Sequence, residues 1–161
     1  MSDLGALFYE AAASLLRDRQ ADSLLALALT HSSSTGSAVQ ETLATLGTSG
    51  LRLAMILEHV RTMRKRDGGS VTQSVSSFHA SQELWLSLAS GEFLDQVSFG
   101  KGLAKERLSF GVRRSLVRSL LGACFVADFD AALLLTTSQL FPHYARLISA
   151  EGLNPKSALQ H

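Results

Sequence analysis

The stretch "ALTHSSSTGSAVQETLATLGTSGLRL", residues 28–53, decides how this chain is read. It contains a Ser/Thr/Gly segment, "THSSSTGS", rich in residues that cap helices and form turns. Beyond it Val39, Leu43, Leu46, Gly50, Leu53, Leu57 and Val60 recur in alternating steps of four and three. That spacing lays one narrow apolar seam along an α-helix. Gly47 and Gly50 lie within it, and each lowers intrinsic helicity by roughly 1 kcal/mol. A helix that keeps two glycines is expected to have another backbone close against it.

Outward from this stretch the periodicity stays helical. After Ser2 or Asp3 as N-cap, Leu4, Leu7, Phe8, Ala11 and Leu15 share one face, and "DSLLALAL" follows from Asp22. Downstream, the basic segment "RTMRKRDGG" ends in a Gly-Gly break. Val71, Val75, Phe78, Gln82, Trp85 and Ala89 then repeat the stepping up to a stop at Gly91. "SFGKG" is a short connector. In "RRSLVRSLLGACFVA", Leu116, Leu120 and Ala123 form one stripe and Val117, Leu121 and Cys124 its neighbour, as in a buried helix. "DAALLLTTSQL" and "HYARLISA" read as two helices parted by Pro142. The expectation is a single all-α domain over residues 3–149 followed by a loose, non-periodic tail at 150–161, with no strand, repeat or linker.

Composition narrows the function classes. With 161 residues, 46% of them hydrophobic, and two prolines, the chain can bury a core and is not a disordered one. A net charge of +1 is too small for a general polyanion binder, so any nucleic-acid contact must come from local basic patches. The lone Cys124 excludes an intrachain disulfide and a Cys-rich zinc site, and in "LLGACFVA" it reads as a small core residue. No run reaches the roughly 18 apolar residues that span a bilayer. Asp3, Glu10 and Asp18 argue against both an acid-poor transit peptide and a secretory signal. That leaves a chain acting where it is made, imported by another route, or numbered from a processed start.

Four segments in order, "ALTHSS", "ETLATLG", "FGKG" and "LLGACF", resemble the endonuclease domain of the ribonuclease III family. That family's signature helix reads approximately N-E-R-L-E-F-L-G-D, its connector L-G-K-G and its late helix D-x-x-E-A-L-I-G-A. "LWLSLASGEFLDQVSFGKG" also looks like the family's run into its connector, and the match extends from about Leu4 to Ile148. The resemblance implies an all-α helical bundle that works as a dimer, and it leaves no room for the family's usual double-stranded-RNA-binding domain.

The family cleaves phosphodiesters with magnesium held by four carboxylates, because a hard cation prefers oxygen ligands. Laid on the motifs, those acids fall at Ala44, Thr48, Ser115 and Arg118. None is a carboxylate, and Arg118 brings a cation where a cation should bind. The resemblance thus implies a pseudoenzyme with no metal and no cofactor. Glu41 occupies the motif's first acidic position but reads as a helix-starting Glu favoured by the macrodipole. His31 matches the signature histidine and reads as ordering its loop. In "ADFD", Asp128 and Asp130 read as a helix break and N-cap rather than displaced ligands.

Two uses of such a domain remain, pairing and RNA contact. The signature helix offers Val39, Leu43, Leu46, Gly47, Gly50 and Leu53 as a dimer interface. Arg61, Arg64, Lys65 and Arg66, then Lys101, Lys105 and Arg107, then Arg113 and Arg114 beside Arg118 form basic clusters suited to phosphates. No aromatic platform for single-stranded bases is evident, since Trp85 and the phenylalanines lie on apolar stripes.

Acid-free members of the family include ribonuclease-III-like proteins of mitochondrial large ribosomal subunits and inactive partners in mitochondrial RNA-editing or RNA-processing complexes. The domain-only length and low charge favour the ribosomal likeness. Its implied partners are another ribonuclease-III-like protein, with a heterodimer preferred over a homodimer, structured RNA such as ribosomal RNA, and neighbouring ribosomal proteins in the mitochondrial matrix. The alternatives are an inactive partner of an active ribonuclease III, a nuclease with a rebuilt metal site, and a protein–protein adaptor that touches no RNA.

Overall fold

A computed structural model of the protein describes residues 4–31, 38–62, 68–99 and 108–152, with Glu151 and Gly152 described by backbone only. Among the described residues there are eight helices: α1 (Leu4–Asp18), α2 (Asp22–Ala28), α3 (Val39–Thr62), α4 (Gly68–His79), α5 (Gln82–Leu88), α6 (Glu92–Asp95), α7 (Phe110–Ala127) and α8 (Phe129–Gly152). The described residues adopt the expected all-α architecture. No described helix is long and apolar enough to cross a membrane.

Helix α7 is the hub, touched by α1, α2, α3, α5 and α8. Surrounded in this way, it has to be apolar on several faces, and Leu116, Val117, Leu120, Leu121, Ala123 and Cys124 are all fully buried. Both stripes expected of "RRSLVRSLLGACFVA" are therefore core. Burial pushes the Cys124 thiol up to about 12, which keeps it protonated and unreactive. Its sulfur lies 3.7 Å from the Ala12 carbonyl of α1.

Four details differ from the sequence reading. Helix α1 turns Phe8, Tyr9, Ala12, Ala13 and Leu16 inward, whereas Leu7 is 50% exposed and Leu4, Ala11 and Leu15 lie at the rim. Close approach decides this register. A Cβ on Gly5 would meet the Leu88 carbonyl oxygen at 2.6 Å, so small residues face the neighbours and leucines flank them.

The apolar series from Val71 to Ala89 is divided between α4 and α5 by a turn at Ala80 and Ser81, and Gln82 is exposed. The Trp85 indole N–H donates to the His79 carbonyl at 2.9 Å, satisfying an α4 C-terminal acceptor across the break.

Pro142 interrupts no helix; α8 runs through it. The ring faces outward, and Leu140, Phe141, Tyr144 and Ile148 are buried on both sides of it, so packing outweighs the one backbone bond that proline forfeits. His59 Nδ1 and the Tyr144 hydroxyl, 3.0 Å apart, tie α3 to α8 in the core. The α8 helix extends to Gly152, past the expected domain end, and the rest of the tail reading lies outside the described residues.

Candidate functional site

The site is made by the crossing of α3 and α7. A Cβ on Gly47 would lie 1.8 Å from the Arg118 carbonyl oxygen and 3.0 Å from the Gly122 nitrogen. A Cβ on Gly122 would lie 1.9 Å from the Leu43 carbonyl oxygen. One turn on, a Cβ on Gly50 would strike the Phe125 ring at 2.4 Å. Gly47 thus admits the backbone of the chain's own late helix, and Gly50 admits the Phe125 side chain of that same helix. Of the residues offered as a dimer interface, Leu43, Gly47 and Gly50 are buried inside the protein.

The other half of that seam faces outward. Val39, Leu46 and Leu53 are 41%, 39% and 46% exposed, and Val60, seven residues further on, is 57% exposed. Steps of seven keep these four on one line of the helix surface. The apolar seam therefore straddles two faces, one packed on α7 and one open.

Beside the crossing the side chains of the two helices converge. Glu41, Ala44, Thr45 and Thr48 of α3 and Gly111, Arg114, Ser115 and Arg118 of α7 line a cleft of ≈ 240 Å³. The four positions at which the ribonuclease III resemblance would place metal-binding acids, in two pairs about seventy residues apart in sequence, all meet here.

The chemistry of this lining is specific. The Thr48 hydroxyl donates to the Ala44 carbonyl at 2.9 Å, so its proton is committed within the helix. Ser115 Oγ accepts from Nε2 of the buried Gln40 at 3.2 Å, which leaves the serine proton to be donated elsewhere. Arg118 bonds through Nη2 to His79 Nδ1 at 2.8 Å, and its guanidinium lies 5.5 Å over the Trp85 ring. Arg114 lies 4.9 Å over Phe110.

Burial, then the charges of Arg118, Arg52 and Arg114, lowers His79 to about 4. The imidazole is therefore neutral near pH 7 and accepts from Arg118. Burial, then Arg114 and Arg52, lowers Arg118 to about 10, so it remains a cation at neutral pH.

This donor set does not fit magnesium. Ala44 offers a methyl group, Thr48 and Ser115 neutral hydroxyls, and Arg118 a positive charge. Glu41, exposed at the rim, is the one carboxylate of the lining among the described residues. Among the described residues no group of three or more His, Cys, Asp or Glu could hold a metal ion. Asp128 is used elsewhere: it ends α7, accepts from the Ala131 N–H at 3.0 Å and from Arg19 Nε at 2.6 Å, and so caps α8. His31 orders its segment through its backbone N–H, which donates to the Ser98 carbonyl at 2.9 Å.

The basic clusters separate. Arg64, Lys65, Arg66, Lys101, Lys105 and Arg107 lie outside the described residues. Arg61 is exposed near the far end of α3, 3.7 Å from Glu58. Arg113 turns inward and donates to the Ala89 carbonyl at 3.4 Å, which suits packing better than phosphate contact. Arg114 and Arg118 are brought together, and Arg52 joins them through its charge. Arg52, His79 and Gln40 were absent from the sequence reading; Arg52 follows Thr48 by four residues and shares its helix face, a signal that could have found it. A wider groove of ≈ 430 Å³, lined by Phe78, Leu84, His143 and Arg146 among others, contains none of the candidate metal, RNA-binding or dimer-interface residues.

No protein-family model, no curated protein and no solved structure matches the chain.

Proposed function

We propose that the chain is a noncatalytic ribonuclease-III-like domain that pairs with a related domain and helps hold structured RNA in a ribonucleoprotein, most naturally the mitochondrial large ribosomal subunit. The observation that carries this reading is the meeting of Ala44, Thr48, Ser115 and Arg118 in one cleft. Motif positions assigned independently on two distant helices converge as a metal site would, and a cation occupies one of them. The open line of Val39, Leu46, Leu53 and Val60, roughly 30 Å long at 1.5 Å per residue, supports pairing. Arg114, Arg118 and the exposed Arg61 support phosphate contact. The ribosomal and mitochondrial assignment rests on the family resemblance alone.

The test is to isolate the protein from its source at physiological salt and size the complex that carries it. Comigration with a large ribosomal subunit is the expected result. A small dimer with an active ribonuclease III would move the domain to a processing complex, and an RNA-free monomer would overturn the proposal.

A further inference from the structure

The cleft between α3 and α7 holds more positive charge than its lining answers. Arg114 and Arg118, four residues apart, share one face of α7, and Arg52 of α3 acts on both Arg118 and His79. Neither Arg114 nor Arg118 meets a carboxylate in an ion pair among the described residues; their neighbours are aromatic rings and a neutral imidazole. Nε of Arg118 is buried and has no hydrogen-bond partner there. That nitrogen is closed to solvent, so an anion in the cleft would reach Arg118 through its terminal nitrogens and offset the desolvation of the half-buried guanidinium as a whole. Ser115 adds an O–H: its oxygen accepts from Gln40, and among the described residues its proton has no acceptor. Thr48 adds none. Glu41 at the rim opposes an anion, but it is exposed and outnumbered by the guanidiniums.

We propose that this cleft is a phosphate seat, with Arg114 and Arg118 as the charged donors and Ser115 as the neutral one. His79 and Trp85 are positioning residues that hold the Arg118 guanidinium in place. Arginine suits this task because its planar fork offers parallel N–H donors to two phosphate oxygens. The seat stands on the geometry of the cleft alone. Only the source of the phosphate, an RNA backbone or a free phosphate group, rests on the RNA-holding reading.

Trp85 is the chain's single tryptophan and lies directly beneath Arg118, so its fluorescence reports on the seat. The experiment titrates the full chain with sodium phosphate against sodium chloride at equal ionic strength, with calorimetry in parallel. A saturable phosphate response absent with chloride is expected. Arg118→Gln and Arg114→Gln should each weaken phosphate by about tenfold or more, the loss of one charged hydrogen bond. The second variant leaves the Arg118–Trp85 contact in place, so the readout survives if the first one misfolds. A response that follows ionic strength only, or Arg114→Gln binding as tightly as the parent, sinks the seat. A short double-stranded RNA is then added. Displacement of phosphate assigns the seat to an RNA backbone. RNA bound without displacement assigns it to a free phosphate and detaches it from the RNA-holding reading. RNA binding with no phosphate response overturns the seat and leaves that reading standing.

Discussion

Gly47 of α3 and Gly122 of α7 lie backbone to backbone, with the Gly122 nitrogen 3.0 Å from where a Gly47 Cβ would stand. Each glycine makes room for a carbonyl of the opposite helix, Gly47 for Arg118 and Gly122 for Leu43. The crossing sets the distance between Thr48 and Ser115, so the shape of the cleft depends on two residues that do not line it.

Gly47→Ala and Gly122→Ala should each lower stability by about 3 kcal/mol, since rigid backbone rather than a side-chain tip stands in the way. The two losses should add to less than their sum, because either one opens the same crossing. Gly68→Ala meets nothing within 4 Å and serves as the control, expected within about 0.5 kcal/mol of the parent. Urea denaturation checks all three, and a Gly47→Ala midpoint matching that of Gly68→Ala would contradict the crossing.

Leu46→Glu and Leu53→Glu together should break pairing and leave the fold intact, since both side chains are exposed in the single chain. Two carboxylates buried in an apolar contact should weaken association by about a hundredfold or more. Sedimentation of the protein with its partner measures this, and an unchanged thermal midpoint shows that the domain still folds. Pairing that survives the double change would place the interface on another face.

Acid should destabilise the domain in a defined window. Unfolded His79 takes a proton near 6.5, while the folded imidazole, buried and faced by Arg118, Arg52 and Arg114, resists until about 4. Between those values the unfolded state binds more protons, so stability falls as pH falls and is level above about pH 7. His143, also lowered by burial and then by Arg146, acts in the same direction. Asp128, held below 3.8 by the Ala131 N–H and then Arg19, extends the loss to more acid solution. Urea midpoints from pH 8 to about pH 4 should trace this fall, and His79→Asn should flatten it. An equal slope in that variant would mean that other groups carry the protons.

Purified protein should leave double-stranded RNA intact in magnesium, and chelator should not change its thermal midpoint, because the described lining of the cleft offers a single carboxylate. Cleavage that disappears with Glu41→Ala or Asp128→Ala would falsify the noncatalytic reading.

The sequence made some of this legible and hid the rest for physical reasons. The all-α class and the buried stripes of α7 follow from local patterns, which periodicity and residue chemistry report directly, whereas the cap falls on Asp128 and Asp130 lies inside the first turn of α8. Gly47 and Gly50 announced a close backbone but not whose, because close approach within a chain and between chains makes the same demand on sequence. The seam of α3 divided for a related reason. Gly47 and Gly50 are buried by contact rather than by hydrophobicity, so the leucines beside them are released outward. Leu7 misled in the same way, since the alanine-rich face of α1 is the one that fits. His79 and Trp85 could not be foreseen as the supports of Arg118, because only the tertiary fold brings α4 and α5 beneath α7.

The guanidinium of Arg118 also governs which sequences are reachable from this one. A lone acid introduced at Ala44, Thr48 or Ser115 would meet Arg118 and Arg114 before any divalent ion, and pairing with them would neutralise it. Removing Arg118 first would strip His79 and Trp85 of their partner and leave the cleft with neither cation nor ligands. Each single step toward metal binding is thus unrewarded until several have been taken together.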